Sequence, residues 1–436
     1  MVLWISRYGP PSSPIDGSGS SVAVSPGGGT IFVTGSVEIA AGSAYATIAY
    51  NAATGKQLWA SRYPGPAGDS FARTVAVSPD GHTVFVTGSS KGTSTGSDFA
   101  TVAYNASTGK QLWVSRFNAS RADGASALAV GPGGHTVFVT GSSVSTVSGS
   151  DYVTVAYSTA TGKQLWVSRY NGRANREDGA GSLAVSRDGH RLFVTGGSRG
   201  RSTGIDYATV AYGAATGKQL WVSRYSGPGK GVDGARSVAV SRDSRLVFVT
   251  GQSEATPFFD GNDWATVAYN AATGAPVWTK RYDGAHHADF ALAVAASPTK
   301  NAVYVTGSSI SPRTHADAVT IAYNAATGAP LWIKRFDGDN RADFATSLAV
   351  SPDGATVFIA GSTGVAGTGN PSNPRFLVVA YRAATGTLLW STKLTSHGAG
   401  DSAESVAVSP DSGTVFATGG VEHLGVSTFT TIAISR

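Results

Sequence analysis

Five histidines stand out in the second half of this 436-residue chain because they interrupt an otherwise regular pattern. They are His286, His287, His315, His397 and His423. Imidazole titrates near neutral pH, so neighbouring histidines could transfer protons or bind a metal ion. We identify His286, His287 and His315 as candidate catalytic residues, because all three belong to loops of one sequence copy. Their spacing matches no established metal motif, and solvated loop histidines are the alternative interpretation.

Charged and aromatic residues surround these histidines in the sequence and could contact a ligand. The candidate ligand-binding residues are Asp289, Arg341, Asp343, Arg375, Phe258 and Phe259. The two phenylalanines lie in a segment with no counterpart elsewhere in the chain, which is typical of an exposed aromatic contact. Whether these side chains and the histidines converge on one site is left open by the sequence.

An aspartate recurs just before one predicted strand in each of eight sequence copies. These residues are Asp16, Asp69, Asp123, Asp178, Asp233, Asp289, Asp343 and Asp401. A ring of such carboxylates could hold a hard cation, and the candidate metal ligands are Asp123, Asp178, Asp233, Asp289 and Asp343. The alternative is that each side chain accepts backbone N–H bonds at the entrance of its own strand. Because the feature occurs in every copy, the sequence favours this structural role.

The elements that carry these residues are set by an internal repeat. Tryptophan preceded by leucine or valine recurs eight times, with a period of about 55 residues. These residues are Trp4, Trp59, Trp113, Trp166, Trp221, Trp278, Trp332 and Trp390. Between successive tryptophans lie four short segments rich in Val, Thr, Phe and Tyr, each bounded by turn residues, which are strand signals. We name these strands A to D, with the tryptophan on strand D.

The repeat predicts an all-β, eight-bladed β-propeller with four antiparallel strands per blade, and residues 1–436 as a single domain. The A–B and C–D turns are nearly identical between copies, and we call their surface the constant face. The D–A and B–C connections differ between copies, and we call their surface the variable face, where function usually lies. Residues 3–7 read as a lone D strand, and residues 404–434 supply only strands A, B and C. We therefore expect the two ends of the chain to complete the last blade together.

Composition narrows the possible classes of partner. The formal charge is +6, but seven arginines recur once per repeat on strand D, which distributes the charge around a ring. They are Arg7, Arg62, Arg116, Arg169, Arg224, Arg281 and Arg335. We interpret them as protection of an exposed strand edge and expect no nucleic-acid partner. The absence of cysteine excludes disulfide and thiolate chemistry, and no apolar run approaches the length of a membrane span.

The start of the chain and its composition bear on the cellular location. The chain begins directly inside a repeat strand and carries no signal peptide, as a trimmed chain would. Abundant alanine, and arginine in excess of lysine, are typical of a bacterial source with a GC-rich genome. We expect a secreted or periplasmic, monomeric protein.

The segment Ala-Tyr-Asn-Ala-Ala-Thr-Gly-Lys-Gln-Leu-Trp at 49–59 resembles the tryptophan-docking repeat of the quinoprotein, or PQQ-like, propellers. It recurs at 103–113, 156–166, 211–221, 268–278, 322–332 and 380–390. The resemblance covers the whole chain. It implies that the Thr-Gly turn joins the two outer strands of a blade and that the eight tryptophans are structural, each packing against the neighbouring blade.

The same resemblance raises PQQ with calcium as a cofactor, but this sequence departs from the catalytic members. Eight-bladed quinoprotein alcohol dehydrogenases have adjacent cysteines above the cofactor, and their Glu/Asn/Asp calcium set is not recognisable here. No catalytic residue is therefore carried over. We expect a binding propeller that holds a small molecule, glycan or protein with its variable face over the central channel. The alternative is an enzyme, including a PQQ-dependent oxidoreductase, with its site at the channel mouth between blades five and eight.

Overall fold

The computed structural model describes residues 1–8, 16–119, 122–145, 147–255, 261–284, 287–311, 315–338, 341–365, 374–394, 400–423 and 426–436. These residues form 32 strands in eight four-stranded antiparallel sheets. The first strand of each sheet contacts the first strand of the next around a complete ring. The predicted eight-bladed β-propeller is confirmed. The described residues contain no helix, and hence none long and apolar enough to cross a membrane.

Blades 1 to 4 follow one another along the chain, and each places strand A at the axis and strand D at the rim. Blade 1 consists of β2 (Gly17–Val24), β3 (Thr30–Ile39), β4 (Gly42–Asn51) and β5 (Gln57–Tyr63). Blade 2 consists of β6 (Ser70–Val77), β7 (Thr83–Lys91), β8 (Ser97–Asn105) and β9 (Gln111–Phe117). Blade 3 consists of β10 (Asp123–Val130), β11 (Thr136–Ser145), β12 (Gly149–Ser158) and β13 (Gln164–Tyr170). Blade 4 consists of β14 (Asp178–Val185), β15 (Arg191–Arg199), β16 (Ile205–Gly213) and β17 (Gln219–Tyr225).

Blades 5 to 7 repeat this order, and blade 8 uses both ends of the chain. Blade 5 consists of β18 (Asp233–Val240), β19 (Leu246–Glu254), β20 (Asn262–Asn270) and β21 (Pro276–Tyr282). Blade 6 consists of β22 (Asp289–Ala296), β23 (Ala302–Ser311), β24 (His315–Asn324) and β25 (Pro330–Phe336). Blade 7 consists of β26 (Ala342–Val350), β27 (Thr356–Val365), β28 (Arg375–Arg382) and β29 (Leu388–Leu394). Blade 8 consists of β30 (Ser402–Val408), β31 (Thr414–His423), β32 (Val426–Ser435) and β1 (Val2–Arg7).

The strands are apolar on both faces because each blade is sandwiched between two others. Strands B and C form the most deeply buried part of each sheet. Threonines within them are satisfied in pairs: the Oγ1 atoms of Thr87 and Thr101 lie 3.1 Å apart on β7 and β8. Near the axis, neighbouring A strands are joined directly, since the Val22 N–H donates to Ser405 Oγ at 3.2 Å. This last bond links blade 1 to blade 8 and helps to close the ring.

The seam of the ring lies in blade 8, where β1 pairs antiparallel with β32. The register runs from Val2 opposite Ile434 to Arg7 opposite Thr430. The two chain ends are bonded as well, since the Ser435 N–H donates to the Met1 carbonyl at 2.9 Å. The N-terminal strand therefore supplies the outer strand of the last blade, as predicted.

Each tryptophan of strand D lies against the C–D turn of the next blade. The Trp59 indole Nε1–H donates to the Ala106 carbonyl at 2.9 Å. The ring packs on Gly109, whose φ is +70°, and a Cβ there would lie only 2.6 Å from the indole. The same indole-to-carbonyl bond joins Trp4 to Ala52, Trp113 to Thr159, Trp166 to Ala214, Trp221 to Ala271, Trp278 to Ala325 and Trp332 to Ala383.

Trp390 is the exception, because its buried Nε1 has no hydrogen-bond partner. It packs against blade 8, where strands C and D come from opposite ends of the chain, so no C–D turn presents a carbonyl there. The chain thus contains a tryptophan that has the usual packing without the usual hydrogen bond.

We expect Trp278→Phe to destabilise the protein more than Trp390→Phe, by about 1 to 2 kcal/mol in free energy of unfolding. Both changes remove similar ring volume, but only the first removes a hydrogen bond and leaves the Ala325 carbonyl without the indole. Urea unfolding of both variants measures the difference. Equal losses of stability would show that the indole hydrogen bond adds nothing to the packing of the ring.

Candidate functional site

The repeated arginine of strand D anchors a polar network that joins two blades beside the variable face. Arg116 Nη1 donates to the Tyr63 hydroxyl of the preceding blade at 2.9 Å and to Ser90 Oγ at 2.8 Å. Its Nη2 donates to Asp98 Oδ2 at 2.6 Å. The Asp98 side chain is only 5% exposed, so the pair is largely removed from water. The same arrangement surrounds Arg224 with Tyr170, Ser198 and Asp206, Arg281 with Tyr225, Ser253 and Asp263, and Arg335 with Tyr282, Ser309 and Asp317.

These contacts change the interpretation of the arginines. We expected them to protect an exposed strand edge, but the guanidinium groups of Arg116, Arg224 and Arg281 are turned inwards onto buried partners. Charge-assisted bonds of this kind fix geometry between blades. The repeated arginine thus mainly links neighbouring blades. Its partners could not be identified from the sequence alone, because they come from three different strands.

The five candidate metal ligands Asp123, Asp178, Asp233, Asp289 and Asp343 are all buried at the entrance of strand A. Each accepts a backbone N–H bond from its own D–A loop, from Ala119, Gly172, Gly227, Gly284 and Gly338 respectively. The distances lie between 2.5 and 2.7 Å. The structure therefore turns these side chains towards five separate loops.

Two groups of three carboxylates lie at the variable face on either side of blade 6. The first joins Asp263, Asp283 and Asp289, with one oxygen from each within 4.8 Å of the others. The second, one blade further on, consists of Asp317, Asp337 and Asp343 with the same spacing. Within the described ranges, these are the groups that could hold a metal ion, and each contains just one of the five aspartates named above.

The environment of these groups disfavours full ionisation. Burial, together with repulsion from Asp283 and Asp263, raises the pKa of Asp289 to about 6, although hydrogen bonds from Ser309 and Gly284 act in the opposite direction. Burial and the repulsion of Asp337 and Asp317 likewise raise the pKa of Asp343 to about 6. Each group could therefore share a proton near neutral pH or gain from a hard cation.

The candidate histidines are only partly placed. His287 is half-buried just before β22, and the exposed His315 begins β24 with a φ of +66°. The Ile310 N–H donates to the Ala288 carbonyl at 3.1 Å, so the loop that ends at Ala288 lies beside the hairpin that carries His315. His286, His397, Phe258 and Phe259 lie outside the described residues, and for His423 only the backbone is described, at the end of β31.

The remaining ligand-binding candidates lie around blade 7. Arg341 is half-buried immediately before β26, two residues from the buried Asp343. Arg375 is half-buried at the start of β28, opposite Thr363. The second carboxylate group and these two arginines therefore belong to the same end of the same blade. Their assignment to a ligand remains a prediction.

Blade 3 departs from the arginine network in a way that the sequence analysis missed. Arg169 forms no ion pair in the described residues, and its Nη2 reaches only Ser143 Oγ, at 3.3 Å. The corresponding aspartate, Asp151, is buried and accepts a bond from Ser148, as Asp98 does from Thr95, but among the described residues it has no arginine partner. In the preceding blade, Phe117 replaces the tyrosine whose hydroxyl binds the arginine of blades 1, 2, 4, 5 and 6. Arg169 instead lies over the Phe117 ring, 5.9 Å from its centroid.

A cleft of about 660 Å³ opens beside Arg169, between the outer strands of blades 3 and 4. It is lined by Arg169, Tyr170, Asn171, Arg173, Gln219, Val222 and Arg224. The lining has three arginines and no carboxylate. The only sequence signal for this site was Phe117, which stands where most other copies have tyrosine. This difference can be interpreted only once the contacts of Arg169 are known.

Comparison with known proteins agrees with this architecture. The sequence model of the family described as outer membrane protein assembly factor BamB matches residues 2–141, 45–209, 150–256 and 208–431. These matches span nearly the whole chain as overlapping sets of PQQ-like repeats. The chain is an eight-bladed propeller of the PQQ-like class and belongs to the BamB family. The resemblance drawn from the tryptophan repeat is thereby confirmed.

Solved structures share the fold at low sequence identity. Sqt1 from Chaetomium thermophilum superposes with a TM-score of 0.65 at 11% identity, over 100% of this chain and 98% of that one. The C-terminal WD40 domain of Sif2 gives 0.61 at 12% identity, over 100% and 99%. BamB from Moraxella catarrhalis gives 0.52 at 13% identity, over 100% and 99%. Among curated protein sequences, none matches this chain.

Proposed function

We propose that this protein is a non-catalytic propeller that binds a protein partner through its variable face. The observation that carries the proposal is the uneven charge of that face. Two groups of buried and exposed carboxylates occupy blades 5 to 7, whereas Arg169 and Arg173, which have no carboxylate partner in the described residues, line the cleft between blades 3 and 4. A surface that is acidic on one side and basic on the other orients a complementary partner.

The construction of the two faces supports the same proposal. On the constant face, the C–D turn of a blade is bonded to its A–B turn in the same way in blades 1 to 7, as the Ala106 N–H is to the His82 carbonyl at 2.9 Å. On the variable face, loops of different sequence are held by the arginine network between blades. A rigid scaffold that carries dissimilar loops is typical of recognition surfaces.

The names of related proteins are consistent with a binding role. One of the similar structures is that of Chaetomium thermophilum Sqt1 bound to the N-terminus of the ribosomal protein L10. The family to which the chain belongs is named for an assembly factor of outer membrane proteins. We therefore propose a protein as the partner, a single-domain monomer as the active form, and a location outside the cytoplasm.

The enzyme alternative with PQQ and calcium fits the described residues poorly. PQQ carries three carboxylates and would need cationic groups that are available to bind them. Two arginines beside the carboxylate groups are already engaged, since Arg281 Nη2 lies 2.7 Å from Asp263 and Arg335 Nε lies 2.9 Å from Asp317. The six carboxylates of the two groups would add negative charge beside a negative cofactor. No reaction step is assigned through PQQ.

Charge reversal on the two faces tests the proposal. We expect Arg176→Glu with Arg201→Glu to abolish the retention of the partner from a lysate of the source organism. Both side chains are exposed on the variable face, so reversal repels the acidic surface that they would attract. Quantitative affinity capture followed by 1:1 binding of the purified partner, measured by analytical ultracentrifugation, gives the readout.

The matched control is Lys110→Glu with Lys163→Glu, which changes the net charge equally on exposed residues of the constant face. This variant should retain the partner as the unmodified protein does. Loss of the partner from both variants would show non-specific attraction. Loss from the constant-face variant alone would place recognition on the wrong face and refute the proposal.

A further inference from the structure

The arginine-lined cleft between β13 and β17 suggests what kind of partner surface the protein recognises, an inference that rests on the proposed function. Both Arg169 and Arg224 line this cleft, but only Arg169 lacks the partners that hold its counterparts. In blades 2, 4 and 5 the equivalent guanidinium is bonded to an aspartate at 2.6 to 2.8 Å and to a tyrosine hydroxyl at 2.9 to 3.1 Å. Arg169 has neither, and its side chain is exposed.

The second arginine of the cleft is positioned by the backbone around it. Arg173 lies in the D–A loop, and its carbonyl accepts a bond from Arg201 Nε at 2.8 Å. The side chain of Arg173 is exposed and has no carboxylate partner within the described residues. The loop is further fixed by Asn171, whose Nδ2 donates to Asn175 Oδ1 at 2.6 Å. Two unpaired guanidinium groups thus line one cleft while the backbone that carries them is held in place.

The chemistry of the lining selects for carboxylates. A guanidinium group binds a carboxylate through two parallel N–H bonds, and unpaired arginines gain most from such a ligand. The cleft offers one apolar side chain, Val222, and its tyrosine is only 8% exposed, so an aromatic or lipid ligand would find little to contact. Arg176, Arg199 and Arg201 extend the positive surface beyond the cleft, further than one small anion needs.

We propose that this cleft binds an acidic segment of a protein partner, with aspartate or glutamate side chains on Arg169 and Arg173. The same segment is excluded from the neighbouring positions of the ring. Tyr170-Asn171-Gly172 borders the cleft, whereas the corresponding tripeptides before blades 6 and 7 contain Asp283 and Asp337. These carboxylates belong to the two acidic groups and would repel the segment, which fixes its location around the ring.

Binding of a fluorescein-labelled polyglutamate peptide, followed by anisotropy at physiological ionic strength, tests the proposal. We expect Arg169→Ala with Arg173→Ala to weaken binding at least about tenfold, because each removes a charge-assisted contact. The control is Arg187→Ala with Arg242→Ala, which removes equal charge from exposed positions of the constant face. It should weaken binding little. Equal weakening by both pairs, or no binding by the unmodified protein, would overturn the proposal.

A substitution that leaves every charge in place gives a sharper test. Phe117→Tyr restores the hydroxyl that holds the arginine in other blades, and we expect it to draw Arg169 back towards buried Asp151. Peptide affinity should then fall several-fold although both arginines remain. The control is Phe336→Tyr, at the equivalent position of blade 6, where the facing residue is Lys393 and no cleft arginine is involved. An unchanged affinity in Phe117→Tyr would refute the role of the freed arginine.

Competition in the same assay distinguishes a protein segment from a nucleic acid as the ligand of the cleft. A single-stranded RNA that displaces the peptide with the same dependence on Arg169 would overturn the assignment to a protein segment. If the peptide fails to bind but the charge reversal of Arg176 and Arg201 still abolishes capture of a partner, this inference is wrong and the proposed function stands. If the peptide binds but capture of the partner does not depend on the variable face, the proposed function is wrong and the cleft still binds an acidic segment.

Discussion

Deletion of residues 1–8 should lower the unfolding temperature by about 10 °C or more, because it removes the strand that closes the ring. Without β1, the edge of β32 is left unpaired and blade 8 has three strands. Trp4 is lost from its position against blade 1, including its 2.9 Å bond to the Ala52 carbonyl. Tyr8, 9% exposed, leaves the core cluster as well. Differential scanning fluorimetry measures the shift.

A peptide of residues 1–8 added in excess should restore most of the lost stability, since strand and docking side chain return together. A scrambled peptide of the same composition is the control and should restore none. Trp4→Ala, which keeps the strand but removes the indole, should give an intermediate loss. An unchanged unfolding temperature after the deletion would mean that the ring holds without its N-terminal strand.

Asp289→Asn combined with Asp343→Asn should raise the unfolding temperature by several degrees at pH 7.5. Burial and neighbouring carboxylates raise the pKa of both residues to about 6, well above the range of an aspartate in an unfolded chain. The folded protein therefore binds protons more tightly than the unfolded chain. The stability that these residues contribute when protonated is lost as the pH rises from about 4 through about 6.

Asparagine keeps the acceptor for the Gly284 and Gly338 N–H groups and removes the charge, so the gain should be smaller at pH 4.5 than at pH 7.5. Asp178→Asn is the matched control. It occupies the same position in blade 4, and burial raises its pKa without a neighbouring carboxylate among the causes.

The measurement is made with a chelator and repeated with calcium. A stabilisation of the unmodified protein by calcium, lost in the double variant, would show that the carboxylate groups bind the ion. A double variant less stable than the unmodified protein at pH 7.5 would contradict the expected repulsion.

The fold was predictable from the sequence because its determinants are local and repeated eightfold. A strand needs only its own Val, Thr and Tyr residues, and a C–D turn only its Thr-Gly pair, so a period of about 55 residues reveals the blade. Ring closure was predictable too, since the strand at residues 3–7 is the one that the last copy lacks.

The site was harder to predict from the sequence because its residues come from different blades. The sequence placed Asp289 at the entrance of its strand and gave no reason to join it to Asp263. They converge because the C strand of one blade and the A strand of the next begin side by side on the variable face. The extra residue in each group, Asp283 or Asp337, replaces the Gly, Pro, Asn, Ser or Thr of other copies, and this difference has a consequence only within that geometry.

The position of the seam also determines how the chain reaches its folded state. In blades 1 to 7 every strand pairs with its immediate neighbour in sequence, whereas β1 and β32 pair across almost the entire chain. Closing so long a loop costs the most chain entropy, and the contacts between β1 and β32 that offset this cost form last. We therefore expect closure of the ring to be the slowest folding step, and the open arc of blades that precedes it has a free strand edge that can pair with a second chain. Fast closure is then expected to limit association between chains.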